Sequence, residues 1–360
     1  MAEVQDVFKQ FGAEFLSGHV LSPSQYKAFL AIKSCRTAVL GAHVDSCNEC
    51  GFEKISYNSC RNRHCPKRQT LTKEQWVEKQ NQYLLNTRYF HLVFTLPDGL
   101  NSVMLQNQEQ AYGLFFKAVS ETLFELCADK KYLGATPGVT TVLHTWGQNL
   151  MYHPHIHCIV TGGGLTKESN WNNSRKNFFL PVKVLSRKFK GKFLFLLKQA
   201  RLPFNSTLYR NEWVVYCKPP FKSASKVIEY LGRYTHRVAI SNYRILSLKD
   251  GKVTFSLRDY RDNNKKKTMI IMATEFIRRF MLHILPSGFR KIRHYGILAS
   301  RNKNKKISLC RKLTMTKFKT TICATSAERL QKLFGADFDL CPCCGIGHMA
   351  RGSPQYKATA

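Results

Sequence analysis

Apolar residues at Val4, Val7, Phe8, Phe11, Phe15 and Leu16 recur at helical spacing, so residues 1 to about 42 are predicted helical. A Cys-rich, basic stretch follows from Cys47 to Arg68, and Thr72 to Tyr89 reads as a further helix. The run RYFHLVFTL, Arg88 to Leu96, predicts a buried strand closed by Pro97-Asp98-Gly99. Ser102 to Cys127 carries Leu114, Phe115, Ala118, Val119, Leu123 and Leu126 on one helical stripe. Two strand-like runs come next, Gly138 to Trp146 and His155 to Val160, ahead of a predicted turn at Gly162-Gly163-Gly164. Residues 165–200 are mixed and basic and give no assignment. A helix is predicted over Lys222 to Thr235, strands near Val238 to Leu246 and Lys252 to Leu257, and a helix over Ala273 to Ile284 stopped by Pro286 and Gly288. Beyond Arg301 the chain is Lys-rich and ends in a second Cys cluster, and no internal repeat is visible. Strand, helix and paired strands in this order predict an α+β fold: an antiparallel sheet with packed helices. The predicted division is 1–75 (helical and Cys-rich), 76–300 (the α+β body) and 301–360 (basic tail with the second Cys cluster).

Composition narrows the function classes. The 360 residues suffice for two or three domains, and 44% hydrophobic content argues for a globular chain. Lys and Arg total 56 against 23 Asp and Glu, a net charge of +33. A charge of that size calls for a polyanionic partner, and nucleic acid is the first expectation, ahead of a membrane surface or a ribosome. No apolar run reaches the roughly 18 residues that a spanning helix needs. Glu3, Asp6 and Glu14 near the start are unlike a secretion signal, so a cytoplasmic, nucleoid-associated protein that avoids membranes is expected. In a reducing compartment the 13 cysteines are read as metal ligands where clustered and as core residues where isolated, as at Cys35, Cys127, Cys158 and Cys217.

Chemistry concentrates in three places. In Met151-Tyr152-His153-Pro154-His155-Ile156-His157, strand geometry aims His155 and His157 at one point while Ile156 packs behind them. His144 on the preceding strand is the expected third metal ligand, with Gln148 and His153 as rivals. The stretch lacks the trailing Asp-His of HxHxDH hydrolases, which sets that class aside. Of the 15 tyrosines only Tyr230 and Tyr234 stand four apart, a spacing that puts both hydroxyls on one helical face as candidate nucleophiles. Gly232 between them suggests a close approach, and Arg233 and Arg237 are placed to hold phosphates. Cys47-x-x-Cys50 and Cys60-x4-Cys65 have the spacing of a structural Zn2+ site, from which Arg61, Arg63, Lys67 and Arg68 project toward DNA. Cys341-x-x-Cys344 is half of such a site, with Cys310, Cys323 or His348 as candidates to complete it. Lys265 to Lys267 and Lys303 to Lys306 are expected along a DNA path, with aromatic side chains stacking on unpaired bases.

These residues resemble a known family. His155-Ile156-His157 is similar to the His-hydrophobe-His core of the HUH endonucleases, and Tyr230-x-x-x-Tyr234 to their two-tyrosine branch. Tyr57 to Pro66, Tyr230 to Asn242 (YLGRYTHRVAISN) and Phe276 to Leu298 resemble the bacterial rolling-circle insertion-sequence transposases within it, across residues 20 to 300. The resemblance implies an HUH-type antiparallel sheet with a small N-terminal zinc-binding module. It also implies DNA transposition through nicking and rejoining of single-stranded DNA, with a 5′-phosphotyrosine and a free 3′-OH. The family points to Mg2+ or Mn2+ at the His cluster, although nitrogen donors favour Mn, Ni, Co or Zn over Mg. The expected partners are single-stranded DNA and element-end DNA. No nucleotide cofactor is expected, since a phosphotyrosine conserves the bond energy and no GxxxxGK[ST] is present. A homo-oligomer is left open. One departure stands out: the family pattern Cys-Pro-x-Cys becomes Cys65-Pro66-Lys67-Arg68, leaving Cys60, His64 or His43 to complete the zinc ligands. Two alternatives remain. One is a plasmid replication initiator or relaxase, against which the N-terminal Cys module argues. The other is a non-catalytic zinc-dependent DNA-binding protein.

Overall fold

The computed structural model describes residues 2–175, 177, 179–221, 226–227, 230, 232, 239–259, 262–317, 325–335, 337 and 339–356. The chain opens with two helices, α1 (Val4–Gly18) and α2 (Pro23–Ser34), the second entered through a Ser22–Gln25 capping box with Pro23 at its first turn. Strands β1 (Ala42–Cys47) and β2 (Glu53–Tyr57) form a hairpin across the first Cys pair, and α3 (Gln69–Asn81) follows. Then come β3 (Tyr89–Thr95), α4 (Asn101–Gln106), α5 (Gln108–Ala128), β4 (Thr136–Trp146), β5 (Tyr152–Leu165), β6 (Trp171–Asn173), α6 (Val182–Gln199) and β7 (Val215–Cys217). Lys226, Val227, Tyr230 and Gly232 have helical backbone. The remainder is β8 (Ile245–Lys249), β9 (Lys252–Asp259), β10 (Lys265–Met272), α7 (Ala273–Met281), β11 (Ile292–Gly296), α8 (Lys303–Leu313), α9 (Ser326–Phe334) and β12 (Met349–Tyr356).

The central sheet runs β11-β4-β5-β3-β7, with β6 joined to β5, and all its pairings are antiparallel. This is the α+β architecture expected. Strand alternation divides β3 cleanly. Phe90, Leu92 and Phe94 face a core shared with α5 and α6, where Phe94 meets Phe189 edge-on at 5.1 Å and Phe115 lies 5.7 Å from Phe189. Tyr89 and His91 face the other side, where Ile159 packs with Val227, Trp76 and Tyr230. A second core joins α1, α2 and α7 to the β8–β10 sheet, with Phe8 5.2 Å from Phe29 and 5.4 Å from Phe280.

The structure corrects the predicted turn and fills in the stretch left without an assignment. Residues 162–164 are not a turn but the end of β5. A Cβ on Gly163 would stand 2.7 Å from the Asn172 carbonyl oxygen and from Trp171, and one on Gly164 2.7 Å from the Thr136 backbone, so close strand approach requires these glycines. Within 165–200, α6 buries Leu185, Phe189, Phe193 and Leu197, whose helical spacing was hidden by interleaved lysines. The tail also does more than extend into solvent: β12 pairs with β1, giving a sheet in the order β12-β1-β2.

Candidate active site and metal centres

His144 stands directly opposite His155 in the β4–β5 ladder, and His157 lies two residues further along the same face, opposite Val142. The ligand nitrogens of the three rings lie within 4.8 Å of one another, with ring centroids 4.7 to 5.5 Å apart. Of the candidates for the third position, the structure brings His144 to the cluster. The main-chain carbonyl of Gln148, in the β4–β5 connection, accepts from Arg244. Each ring is oriented from behind. Trp146 stacks on His144 at 4.6 Å. His155 Nδ1 is 2.7 Å from the His153 carbonyl, so it donates there and presents Nε2. His157 Nδ1 is 3.0 Å from His91 Nε2. Burial pushes His155 down to about 4, so it is neutral and competent to ligate at pH 7.

Tyr230 reaches this cluster through His91. Its hydroxyl lies 3.1 Å from His91 Nδ1, and the two rings meet edge to face at 4.8 Å. Gly232 lets this helical segment sit against α3: a Cβ there would meet Val77 Cγ2 at 2.6 Å. Burial pushes His91 down to about 3, so it carries one ring proton at neutral pH. The Tyr230 oxygen also lies 3.4 Å from His91 Nε2, so it faces both ring nitrogens of His91. If His157 held a metal through Nε2, its proton would sit on Nδ1 and be donated to His91 Nε2, leaving the His91 proton on Nδ1. Tyr234, Arg233 and Arg237 lie outside the described residues.

The four N-terminal thiols expected at one zinc ion do not converge. They divide into two clusters, Cys47 and Cys50 with Cys341 and Cys344, and Cys60 and Cys65 with Cys35. The hairpin explains the division, because β2 carries the chain away from Cys47 before Cys60 is reached. Cys35, read as a core residue, sits at the C-terminal cap of α2 and becomes the third thiol of the second cluster. Hydrogen bonds from Cys60 and Cys65 hold Cys35 well below the ordinary thiol range. His64 and His43 join neither cluster. His64 Nε2 accepts from Arg63 and from the Leu285 N–H, and His43 pairs with Asp45 at 3.4 Å.

Comparison with known proteins places these features in a family. A transposase zinc-binding domain model matches residues 7–96, and a model described as "Putative transposase" matches residues 138–306. The "Putative transposase y4qJ" of Sinorhizobium fredii (strain NBRC 101917 / NGR234) is 44% identical over 96% of this chain and 94% of its own length. The chain belongs to the IS91/IS801-type rolling-circle insertion-sequence transposases. The transposase for insertion sequence element IS801 of Pseudomonas savastanoi pv. phaseolicola is 29% identical over 74% of this chain and 68% of its own. Among solved structures, the conjugative relaxase TrwC in complex with mutant OriT DNA aligns over 64% of this chain and 75% of that one, at 8% identity and a TM-score of 0.26.

In this transposase Arg63 is half-buried and tied to main chain. Its guanidinium donates to the carbonyls of Phe289 and Pro286, the latter at 2.7 Å, and so pins the N-terminal module to the loop after α7. Arg61 is exposed and shares a groove with Arg36, Lys54, Tyr57 and Arg351, the last contributed by β12. Lys267 is tied to Asp259 at 2.8 Å, and Lys265 to Asp262 at 3.3 Å, so two of the three lysines of that run carry local ion pairs. Among the described residues, no helix is long and apolar enough to cross a membrane. Sequence reasoning missed His91. Its signal was present: it is the one polar side chain in the middle of an otherwise apolar strand, on the face opposite Phe90, Leu92 and Phe94.

Proposed function

We propose that this transposase cuts and rejoins single-stranded DNA through a covalent 5′-phosphotyrosine on Tyr230, with a divalent cation held by His144, His155 and His157. The observation that carries the reading is the continuous contact Tyr230–His91–His157, which ties a tyrosine hydroxyl to a ligand ring of a three-imidazole cluster. The donor set fits such an ion: three imidazole nitrogens within 4.8 Å of one another leave open positions, and nitrogen donors favour Mn2+ over Mg2+. When bound, the ion supplies charge neutralisation on the scissile phosphate.

The chain's own residues then do the following. The Tyr230 oxygen attacks phosphorus, the bond to the 3′ oxygen breaks, and the 5′ side stays on the enzyme while a 3′-OH is released. His91 Nδ1–H donates to the Tyr230 oxygen as it gains negative charge, and stabilises the same phenolate when it departs in the rejoining step. His91 is therefore a hydrogen-bond donor rather than the base, and the hydroxyl proton leaves to solvent or to the DNA. Tyr234 is assigned to the second strand exchange, Arg233 and Arg237 to phosphate positioning, and Arg61 to backbone contacts with element-end DNA. Zn2+ is assigned to the cysteine clusters as a structural ion. A cytoplasmic protein that meets the nucleoid follows from this activity and from the net charge of +33.

The test is incubation with Mn2+ or Mg2+ and single-stranded oligonucleotides from the element's ends, followed by a denaturing gel. A covalent adduct that disappears in His155→Ala and in His157→Ala supports the proposal. Tight binding without an adduct in either metal overturns it.

A further inference from the structure

Both ends of the chain carry the same small device. Cys47-x-x-Cys50-Gly51 and Cys341-x-x-Cys344-Gly345 each turn through a left-handed glycine, with φ of +69° at Gly51 and +67° at Gly345. In each, the glycine N–H returns to the carbonyl of the first cysteine, at 3.3 Å and 3.0 Å. The first cysteine of each also donates its own N–H to a carbonyl just past the second, Cys47 to Phe52 at 2.9 Å and Cys341 to Gly347 at 2.7 Å. Backbone N–H groups point at the sulfurs: Glu49 at Cys47, Cys343 at Cys341 and Gly347 at Cys344, at 3.3 to 3.4 Å. Such donors stabilise thiolates rather than neutral thiols.

The two turns face each other. Cys47 Sγ lies 3.8 Å from Cys344 Sγ, and Cys50 Sγ 3.7 Å from Cys341 Sγ. A tetrahedral Zn2+ with bonds of about 2.3 Å to sulfur sets its ligand sulfurs about 3.8 Å apart. A disulfide would bring a pair to about 2.05 Å. All four sulfurs fall within 4.8 Å of one another, and each turn contributes two. The approach is tight: a Cβ on Gly347 would stand 2.5 Å from Cys47 Sγ and 2.8 Å from Glu49 Cβ. Next to the cluster, Asn48 N–H donates to the His348 carbonyl and His348 N–H to Asn48 Oδ1, and the β1–β12 ladder begins at Cys47 opposite Met349.

We propose that Cys47, Cys50, Cys341 and Cys344 form one tetrathiolate zinc site that latches the C-terminal strand onto the N-terminal module. The region matched as a zinc-binding domain ends at residue 96, so half of the ligands come from outside it. The ion closes a loop of nearly the whole chain, between cysteines 291 and 297 positions apart. It also sets Arg351 beside Arg61 in the basic groove, so one metal ion completes a surface built from both chain ends. Neither Cys310 nor His348 is needed to complete the site. This inference does not depend on the phosphotyrosine reading.

Two measurements on the full-length, zinc-loaded protein test it. The first is metal content. Cys341→Ser combined with Cys344→Ser is expected to lose one zinc ion per chain relative to the wild type, whereas Cys343→Ser, an exposed neighbour outside the cluster, retains it. The second uses unmutated protein and so does not depend on a variant folding: thiol alkylation is followed by mass spectrometry with and without chelator. Cys47, Cys50, Cys341 and Cys344 should be protected together and released together, while Cys343 labels throughout. Wild-type zinc content in the double variant would overturn the latch. So would labelling of Cys341 and Cys344 as fast as Cys343 while Cys47 and Cys50 stay protected.

Discussion

Replacing His91 with Phe isolates the part of the site that links metal to tyrosine. Phenylalanine keeps a planar aromatic ring, somewhat larger than imidazole, beside Tyr230, whose ring centroid lies 4.8 Å from that of His91. It removes the donor 3.1 Å from the tyrosine oxygen and the acceptor 3.0 Å from His157 Nδ1. A hydrogen bond to a charged oxygen contributes about 1.5–3 kcal/mol. Its loss at the developing phenolate should slow covalent adduct formation roughly 10- to 150-fold. Losing the partner of a metal-ligating histidine weakens metal affinity by about 10- to 100-fold, so the rate must be measured at saturating Mn2+ to separate the two effects. The assay is single-turnover adduct formation on an oligonucleotide as a function of pH. The rate–pH profile should move to higher pH, because the phenolate has lost a stabilising donor. A variant within about threefold of the wild type, with an unmoved profile, would show that the His91 contact does not act on the nucleophile.

Other expectations follow from the same geometry. Mn2+ should bind the wild-type His cluster more tightly than Mg2+ in calorimetry, and His155→Ala should weaken Mn2+ binding; equal affinities for the two ions would contradict an all-imidazole site. His283 is buried with Nε2 3.0 Å from the Leu150 carbonyl and Nδ1 3.2 Å from Thr145 Oγ1, and burial pushes it down to about 4. A depressed histidine contributes stability that is present above the unfolded value of about 6.5 and is lost progressively as pH falls toward 4. The denaturant midpoint should therefore drop across that window, and less steeply in His283→Gln; an unchanged slope would remove His283 from the account. Gly164→Ala should destabilise by about 1–3 kcal/mol, because its new Cβ meets the Thr136 backbone at 2.7 Å, and an unshifted unfolding midpoint would contradict that close approach.

Sequence legibility followed the range of the forces involved. The clustering of His155 and His157 was readable because strand alternation is local, and that of His144 because adjacent strands in an antiparallel hairpin meet. His91 escaped because its partner His157 lies 66 positions away and only the β3–β5 register joins them. The Cys-x-x-Cys spacing announced two metal-binding turns, but spacing cannot say which turns meet. Pairing Cys47 with Cys344 needs the β1–β12 ladder, a contact between opposite ends of the chain. Arg63 shows another long-range contact that spacing does not announce: its guanidinium donates to the main-chain carbonyls of Pro286 and Phe289, 223 and 226 positions away. Gly162 to Gly164 carried the signature of a turn, yet the same lack of a Cβ serves strands packed too closely for any side chain.

The central claim is that a tyrosine connected to the His cluster becomes covalently joined to DNA. The most direct measurement is peptide mapping, by mass spectrometry, of the adduct formed with a single-stranded element-end oligonucleotide and Mn2+. The account predicts a phosphotyrosine on the peptide bearing Tyr230 or Tyr234, with the adduct lost when His155 and His157 are replaced. An adduct on any other residue, or one that forms equally well without those histidines, would contradict it.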